Sequence, residues 1–343
     1  MSFWDIWLTN VFRKLVKEMF HFAYDNYVTH AFPMDELKPI SCSGEESFKG
    51  MSVTMVDTLD TLAIMGNSTE FSKQVDWVCA NLHFNKDENV SVFETNIRVL
   101  GGLLSAHLLA CDVSLALHNS YDGCLLILAE DLGNRLMRAF DVPSGIPFGT
   151  VNLRYGVPEG ETTITSVAGA GSFSIEFGVL SRLTGNSSYE DAAYKALNAI
   201  YSKRTVIGLL GNHIDISTGE WTHGDAGIGG NVDSLYEYLL KSAILFGDQR
   251  YLDMFTPLYD SVLTHMKKND WYIEVNMYGG QVTWPFFSTL HGFWPGMQVL
   301  YGKQNSILVF HASIYFFFHR RLELCKEDYE EVHVRMEHER THS

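Results

Sequence analysis

Apolar residues recur at steps of three and four along most of the chain, and strict alternation of apolar and polar positions is rare. Between residues 11 and 30, Phe12, Val16, Met19, Phe20, Ala23 and Tyr27 mark one such stripe, and Pro33 closes it. This is the period of an amphipathic helix, and a proline cannot continue one. The same period predicts helices over 51–65, 71–82, 95–110, 121–140, 163–183, 188–202, 233–247, 249–267 and 287–301. Strand-like alternation is confined to short stretches such as 271–277. Turn formers lie between the stripes: Gly66-Asn67, Pro143-Ser144-Gly145, Pro158-Glu159-Gly160, Gly185-Asn186 and Ser217-Thr218-Gly219. The pattern predicts an all-α architecture of helical hairpins that bury their apolar faces by stacking, as a bundle, a solenoid or a closed ring.

Composition narrows the partners. With 343 residues and 46% hydrophobic content, the chain can bury a sizeable core in one large domain or two smaller ones. Forty-one acids against 25 bases give a formal charge of −16, which opposes a phosphate backbone and excludes the nucleic-acid binders. Cys42, Cys79, Cys111, Cys124 and Cys325 show no CxxC or zinc spacing, and an odd count leaves at least one thiol unpaired within the chain. Three sequons, at Asn67, Asn89 and Asn186, are candidate glycosylation sites and fit a secretory protein. The first residues, "MSFWDIWLTNVFRKL", do not read as a signal peptide, because Asp5 and Asn10 interrupt the apolar stretch. "SILVFHASIYFFF" (306–318) is uncharged but shorter than the ~20 residues of a membrane span, and reads as a buried helix.

Two acids stand at helix starts. Ser91-Val-Phe-Glu94 and Ser234-Leu-Tyr-Glu237 both fit the capping box, in which serine and glutamate satisfy free backbone N–H groups. The second follows the glycine-rich "GDAGIGGNVD" (224–233), which carries Asp233. Capping alone accounts for either site. The chemical alternative is glycoside hydrolysis, which uses two carboxyl groups flanking the bond, one protonated toward the leaving oxygen and one ionised. Helix starts favour the ionised form, so an acid there needs apolar neighbours such as Val92 and Phe93. Arg98, four residues beyond Glu94, either pairs with it or presents a planar fork to a sugar hydroxyl or a second carboxylate. Asp57 and Asp60 sit among apolar residues and require partners. The aromatic cluster "TWPFFSTLHGFWPGMQ" (283–298) either packs in the core or stacks on sugar rings.

Six ordered segments extend this reading: "AYDNYVTHAFPMDELKPISC" (23–42), "MVDTLDTLAIMGN" (55–67), "SVFETNIRVLGGLLSAH" (91–107), "GIPFGTVNLRYGVPEGET" (145–162), the stretch 208–248 and "FWPGMQVLYG" (293–302). Together they resemble glycoside hydrolase family 47, the class I α-1,2-mannosidases, and within it the ER degradation-enhancing α-mannosidase-like proteins. The resemblance implies an (α/α)7 barrel with a mannose pocket on its axis. It implies Glu94 as proton donor and Asp233 as a second catalytic carboxylate, with Arg98 and Glu237 as candidate substrate-binding residues. It further implies inverting removal of terminal α-1,2-mannose from high-mannose N-glycans of misfolded glycoproteins in the ER lumen, and a calcium ion near the barrel floor. A mannose-glycan or client-binding protein without turnover is the alternative.

The likeness runs from about residue 13 to 302, with residues 1–12 as a lead and 303–343 as a divergent tail. The family's later catalytic glutamates and its calcium threonine have no counterpart in that tail. The expected barrel is therefore C-terminally truncated, without a metal ligand in the chain. "HERTH" (338–342) matches the zincin spacing H-E-x-x-H but lies in a polar stretch with no third ligand, and reads as coincidence.

Overall fold

Helical hairpins closed by one recurring turn form the frame. Gly66, Gly185 and Gly247 end their helices in the left-handed region, at φ 83°, 74° and 65°. A side chain with a Cβ is strained there and glycine is not. The next residue is Asn67, Asn186 or Asp248, and its side chain accepts a backbone N–H at the start of the following helix. One residue stops a helix and its neighbour begins the next.

The computed structural model describes residues 3–302 apart from 113 and 119, with side chains from Val11 onward. In chain order its helices are α1 (Phe3–His30), α2 (Val53–Met65), α3 (Ser68–Asn81), α4 (Val92–Glu94), a π-helical turn (Thr95–Leu100), α5 (Gly101–Cys111), α6 (Cys124–Leu136), α7 (Val167–Gly171), α8 (Ser174–Thr184), α9 (Ser188–Ser202), α10 (Asp233–Phe246), α11 (Gln249–His265) and α12 (Trp294–Leu300). The described residues divide into two compact units. The first comprises the chain up to Lys203 with His213–Thr222, and the second comprises Arg204–Asn212 with the chain from His223 on.

In the first unit, α2 pairs with α3 and α8 with α9, and α5 packs on α2, α6 and α8. The α2–α5 crossing is close because Gly102 carries no side chain; a Cβ there would lie 2.9 Å from the Val56 carbonyl oxygen. Leu59, Leu62, Phe71, Leu103, Leu132 and Phe177 are fully buried in one continuous core. Burying each such side chain is worth about 1.5–3 kcal/mol. A disulfide joins Cys79 of α3 to Cys124 of α6, and among the described residues Cys42 and Cys111 are free thiols. Three antiparallel pairs of short strands decorate the unit: β1 (Glu36–Lys38) with β2 (Ser43–Glu45), β3 (Asn89–Ser91) with β4 (Thr150–Asn152), and β5 (Ile164–Ser166) with β6 (His213–Asp215).

The second unit is built on the α10–α11 hairpin and α12. Its core is aromatic: Trp294 stacks on Tyr259 (5.6 Å between centroids) and meets Tyr236 edge-on (5.3 Å). Gln298 donates to both the Tyr259 and Tyr272 hydroxyls at 3.0 Å, which satisfies the phenols inside that core. A sheet of β7 (Asp225–Ala226), β10 (Glu274–Asn276) and β11 (Val282–Trp284) lies beside it, with a further pair, β8 (Lys267–Lys268) and β9 (Trp271–Tyr272).

Three predicted helices differ in detail. The run 163–183 is a strand followed by two helices, because Ile164–Ser166 pairs with β6 and the helix breaks at Ser172 and Phe173. The run 95–110 opens with the π turn. The run 287–301 is a 3₁₀ turn at Thr289–Phe293 and then α12. α1 runs unbroken through the expected boundary at residue 12. Cys325, the apolar stretch 306–318 and "HERTH" lie outside the described residues.

Candidate functional site

Glu94 stands at a junction of strand and helix. β3 pairs with β4 so that Ser91 faces Thr150, and Val92 N–H donates to the Gly149 carbonyl at 3.0 Å. The strand delivers Ser91 in an extended conformation, and its Oγ accepts the Glu94 N–H at 3.3 Å. The predicted serine cap is thus present. The helix then widens into the π turn Thr95–Leu100, a rare form that frequently marks functional sites.

That turn explains the fate of Arg98. A π turn brings residue i+5 rather than i+4 back over residue i, so the expected pairing of Arg98 with Glu94 does not form. Arg98 instead donates through Nε (2.8 Å) and Nη2 (2.7 Å) to Asp57 Oδ2, and its guanidinium lies 4.8 Å from the Phe48 ring centroid. Burial holds the Asp57 carboxyl above the usual range even against Arg98. Asp60, the second acid on that face of α2, accepts from Ser105 Oγ at 3.0 Å. Both acids have the partners their apolar setting requires.

The sequence reading missed Glu176. Asn96, within the π turn and fully buried, donates to Glu176 Oε2 (2.9 Å) and to the Ser172 carbonyl (3.0 Å), which ties the turn after Glu94 to α8. The signal was an acid among Phe173, Phe177 and Leu180 on the buried stripe of α8, where a charge must be partnered.

Asp233 belongs to the second unit and is positioned by backbone rather than by a cap. The glycine-rich segment leaves β7, and a Cβ at Gly229 would lie 2.6 Å from the His291 ring. The Gly229 carbonyl accepts the Asp233 N–H at 2.9 Å and so sets the start of α10. The helix begins at Asp233 without a side-chain cap on Val232, and Asp233 Oδ1 accepts the Ser234 N–H at 2.9 Å. The capping box expected at Ser234–Glu237 is therefore not formed. Ser234 is already inside the first turn, and Glu237 pairs with Lys241 at 2.9 Å. Burial, aided by the Glu237 charge and opposed by the Ser234 N–H, raises the Asp233 carboxyl.

In the same unit, Glu274 is raised by burial and by the Asp225 charge, and burial pushes His291 down. His291 is 2% exposed, and its Nδ1 has no hydrogen-bond partner among the described residues. Glu237, Lys241, Phe293 and Met297 line an open cleft of about 230 Å³. The aromatic cluster 283–298 divides: Trp294 is core, whereas Trp284 and Phe286 face solvent.

The sequons occupy different settings. Asn67 caps α3, Asn89 is exposed on β3 with its Oδ1 accepting from Asn152, and Asn186 is exposed in the α8–α9 turn. Calcium takes six to eight oxygen ligands. Among the described residues, no group of three or more His, Cys, Asp or Glu side chains is gathered to hold a metal ion. Among the described residues, no helix is long and apolar enough to cross a membrane.

Residues 19–339 match the family model of Glycosyl hydrolase family 47. The chain belongs to that family. It is 50% identical over 304 residues to Alpha-mannosidase I MNS4 of Arabidopsis thaliana, covering 88% of this chain and 49% of that protein. It is 47% identical over 299 residues to mouse ER degradation-enhancing alpha-mannosidase-like protein 2, covering 87% and 52%. The solved alpha-1,2-mannosidase from Trichoderma reesei matches at TM-score 0.75 and 30% identity, over 86% of this chain and 65% of that one. That likeness bears out the expected fold class, the (α/α)7 barrel of helical hairpins. The chain spans about half the length of the curated relatives it matches.

Proposed function

We propose that this chain carries the α-1,2-mannosidase chemistry of its family, removing terminal mannose from high-mannose N-glycans of misfolded glycoproteins with inversion. Glu94 donates the proton to the leaving oxygen. Asp233 is the second carboxylate, and the observation that carries the reading is the family match over residues 19–339; burial raises its carboxyl, so that once ionised it is a stronger base toward water. Inverting sites keep their carboxyls roughly 6.5–9.5 Å apart to admit that water. Arg98, held in place by Asp57, presents its remaining N–H groups to sugar hydroxyls, and Glu237 accepts from them.

The Cys79–Cys124 disulfide supports an oxidising compartment, in line with the ER lumen that the names of the relatives point to. Exposed Asn89 and Asn186, and Asn67 at its cap, are the proposed glycan acceptors. We place the catalytic domain at 13–302. Calcium, which the family resemblance implies, enters no step here.

The test is mannose release from a high-mannose oligosaccharide by the full chain, compared with Glu94→Gln. Release by the wild type and its loss in the variant are expected. Oligosaccharide binding without release establishes the lectin-like alternative, and absence of both overturns the reading.

A further inference from the structure

We propose that Phe48 is a positioning residue that, together with Asp57, clamps the Arg98 guanidinium in one orientation for sugar hydroxyls; the inference rests on the function proposed above. Arg98 is gripped on two sides. Asp57 Oδ2 accepts from Nε and Nη2 along one edge, at 2.8 and 2.7 Å, and the Phe48 ring covers one face, its centroid 4.8 Å from the guanidinium carbon. A carboxylate on the edge and a ring on the face fix both the plane and the rotation of the fork. Asp57 leaves Nη1 unused, and the Arg98 side chain keeps 30% of its surface open to solvent.

One buried carboxylate sets both jaws. Asp35 is fully buried; its Oδ2 accepts the Phe48 and Gly50 N–H groups at 2.8 Å each, and its Oδ1 accepts the Val53 N–H at 3.2 Å. The first bond ties down the residue that carries the ring. The last falls on the first residue of α2, and Asp57 stands about one turn further along that helix. Between the two, Lys49 and Ser52 sit at φ 60° and 51°, although neither is glycine. Residues with a Cβ are uncommon in this left-handed region and persist only where their surroundings over-determine them. Lys86 Nζ adds a bond to the Lys49 carbonyl at 3.2 Å. The strap between β2 and α2, residues 46–52, thus holds Phe48 on Arg98 while α2 holds Asp57 there.

The consequence is preorganisation. A free arginine side chain samples many rotamers and loses that freedom when it meets a ligand, whereas a clamped one has lost it on folding. Leucine at position 48 keeps an apolar side chain but has no π face to attract a cation, and tyrosine retains that face. The two substitutions therefore separate holding Arg98 from merely packing the strap.

The experiment measures mannose release and binding of a high-mannose oligosaccharide by the full chain, for the wild type, Phe48→Leu and Phe48→Tyr. Phe48 is only half-buried, and circular dichroism with thermal unfolding checks the fold. Phe48→Leu is expected to raise KM, and the dissociation constant with it, by about three- to tenfold while kcat stays within about twofold, the pattern of lost uniform binding. Phe48→Tyr stays near the wild type. In an Arg98→Ala background, read as a dissociation constant, Phe48→Leu has no further effect, because the ring then has no cation to hold. An unchanged KM in Phe48→Leu, equal losses in the leucine and tyrosine variants, or the same loss again without Arg98 overturns the clamp. If the wild type releases mannose and Phe48→Leu matches it, the clamp falls and the hydrolase stands. If the wild type binds the oligosaccharide without release, the hydrolase falls, and the same comparison of dissociation constants decides the clamp. Neither binding nor release removes both.

Discussion

Ser91-Val-Phe-Glu94 and Ser234-Leu-Tyr-Glu237 share one spacing, and the two regions use it differently. At Ser91 a strand ends, so the serine arrives extended and its hydroxyl is free to turn back onto the Glu94 N–H. At Ser234 the helix has already begun, because the Gly229 carbonyl captures the Asp233 N–H one residue earlier. Polar side chains brace the first region: Arg98 on Asp57, Asn96 on Glu176, with the Cys79–Cys124 disulfide beyond. Close backbone packing against His291 and an aromatic core braces the second. A capping motif thus reports a helix start only when the preceding chain is extended. A functional acid can be positioned by either means.

The largest expected effect tests whether the capped glutamate also does chemistry. Glu94→Gln keeps the backbone N–H that Ser91 binds, so stability measured by thermal unfolding stays within about 0.5 kcal/mol of the wild type. Mannose release from high-mannose oligosaccharide falls by about 10²–10⁴-fold, the usual contribution of a general acid. Unchanged release would reduce Glu94 to its structural role. Next comes the staple. Replacing Cys79 and Cys124 with serine opens a loop of sequence separation 45 and costs about 4 kcal/mol on the loop-entropy account. Hydrogen exchange reads the asymmetry: amides of α3 and α6 lose protection in the variant, while those of α10 and α11 keep theirs. Uniform loss in both regions would erase the distinction drawn here.

Gly229→Ala probes the second region's device. Its Cβ would lie 2.6 Å from a buried imidazole, an overpacking that costs about 1–3 kcal/mol in denaturant titration. Because the same residue's carbonyl starts α10, mannose release is expected to fall with it, and a stable, fully active variant contradicts the backbone account. Ser91→Ala is the milder counterpart in the first region, with a loss of about 1 kcal/mol for one missing cap.

Much of this was legible in advance. Helical periodicity located most helices, and Gly66-Asn67 and Gly185-Asn186 marked hairpin turns, because a left-handed stop followed by a capping side chain is local chemistry. The motif likeness nominates Glu94 and Asp233 as candidates. What escaped depended on distant partners. Arg98 finds Asp57, 41 residues away, because a π turn rotates it off Glu94, and nothing in the 3.6-residue pattern announces such a turn. Glu176 drew no notice because its partner Asn96 lies 80 residues away. The strand at Ile164–Ser166 carries a helical period in sequence, because its pairing with β6 comes from residues about 50 positions further along the chain.

The smallest expected effect concerns pH and separates the two acids' surroundings. Burial raises the Asp233 carboxyl in the folded protein above its value in the unfolded chain, with the Glu237 charge adding to it. The native state therefore binds this proton more tightly than the unfolded state does. The contribution to stability is fully present below the ordinary aspartate pKa, near 3.9, and is lost as pH rises through the raised value. Asp233→Asn removes that titration while keeping a side-chain oxygen to accept the Ser234 N–H. Thermal unfolding followed from about pH 4 upward should then show the wild type losing stability relative to Asp233→Asn, and the difference levelling off once Asp233 is ionised in both states. Glu237→Gln should shift the same wild-type transition toward lower pH, because one neighbouring negative charge is gone. Parallel curves for wild type and Asp233→Asn would mean that solvent reaches this carboxyl freely, and the strong-base role assigned to it would lose its physical support.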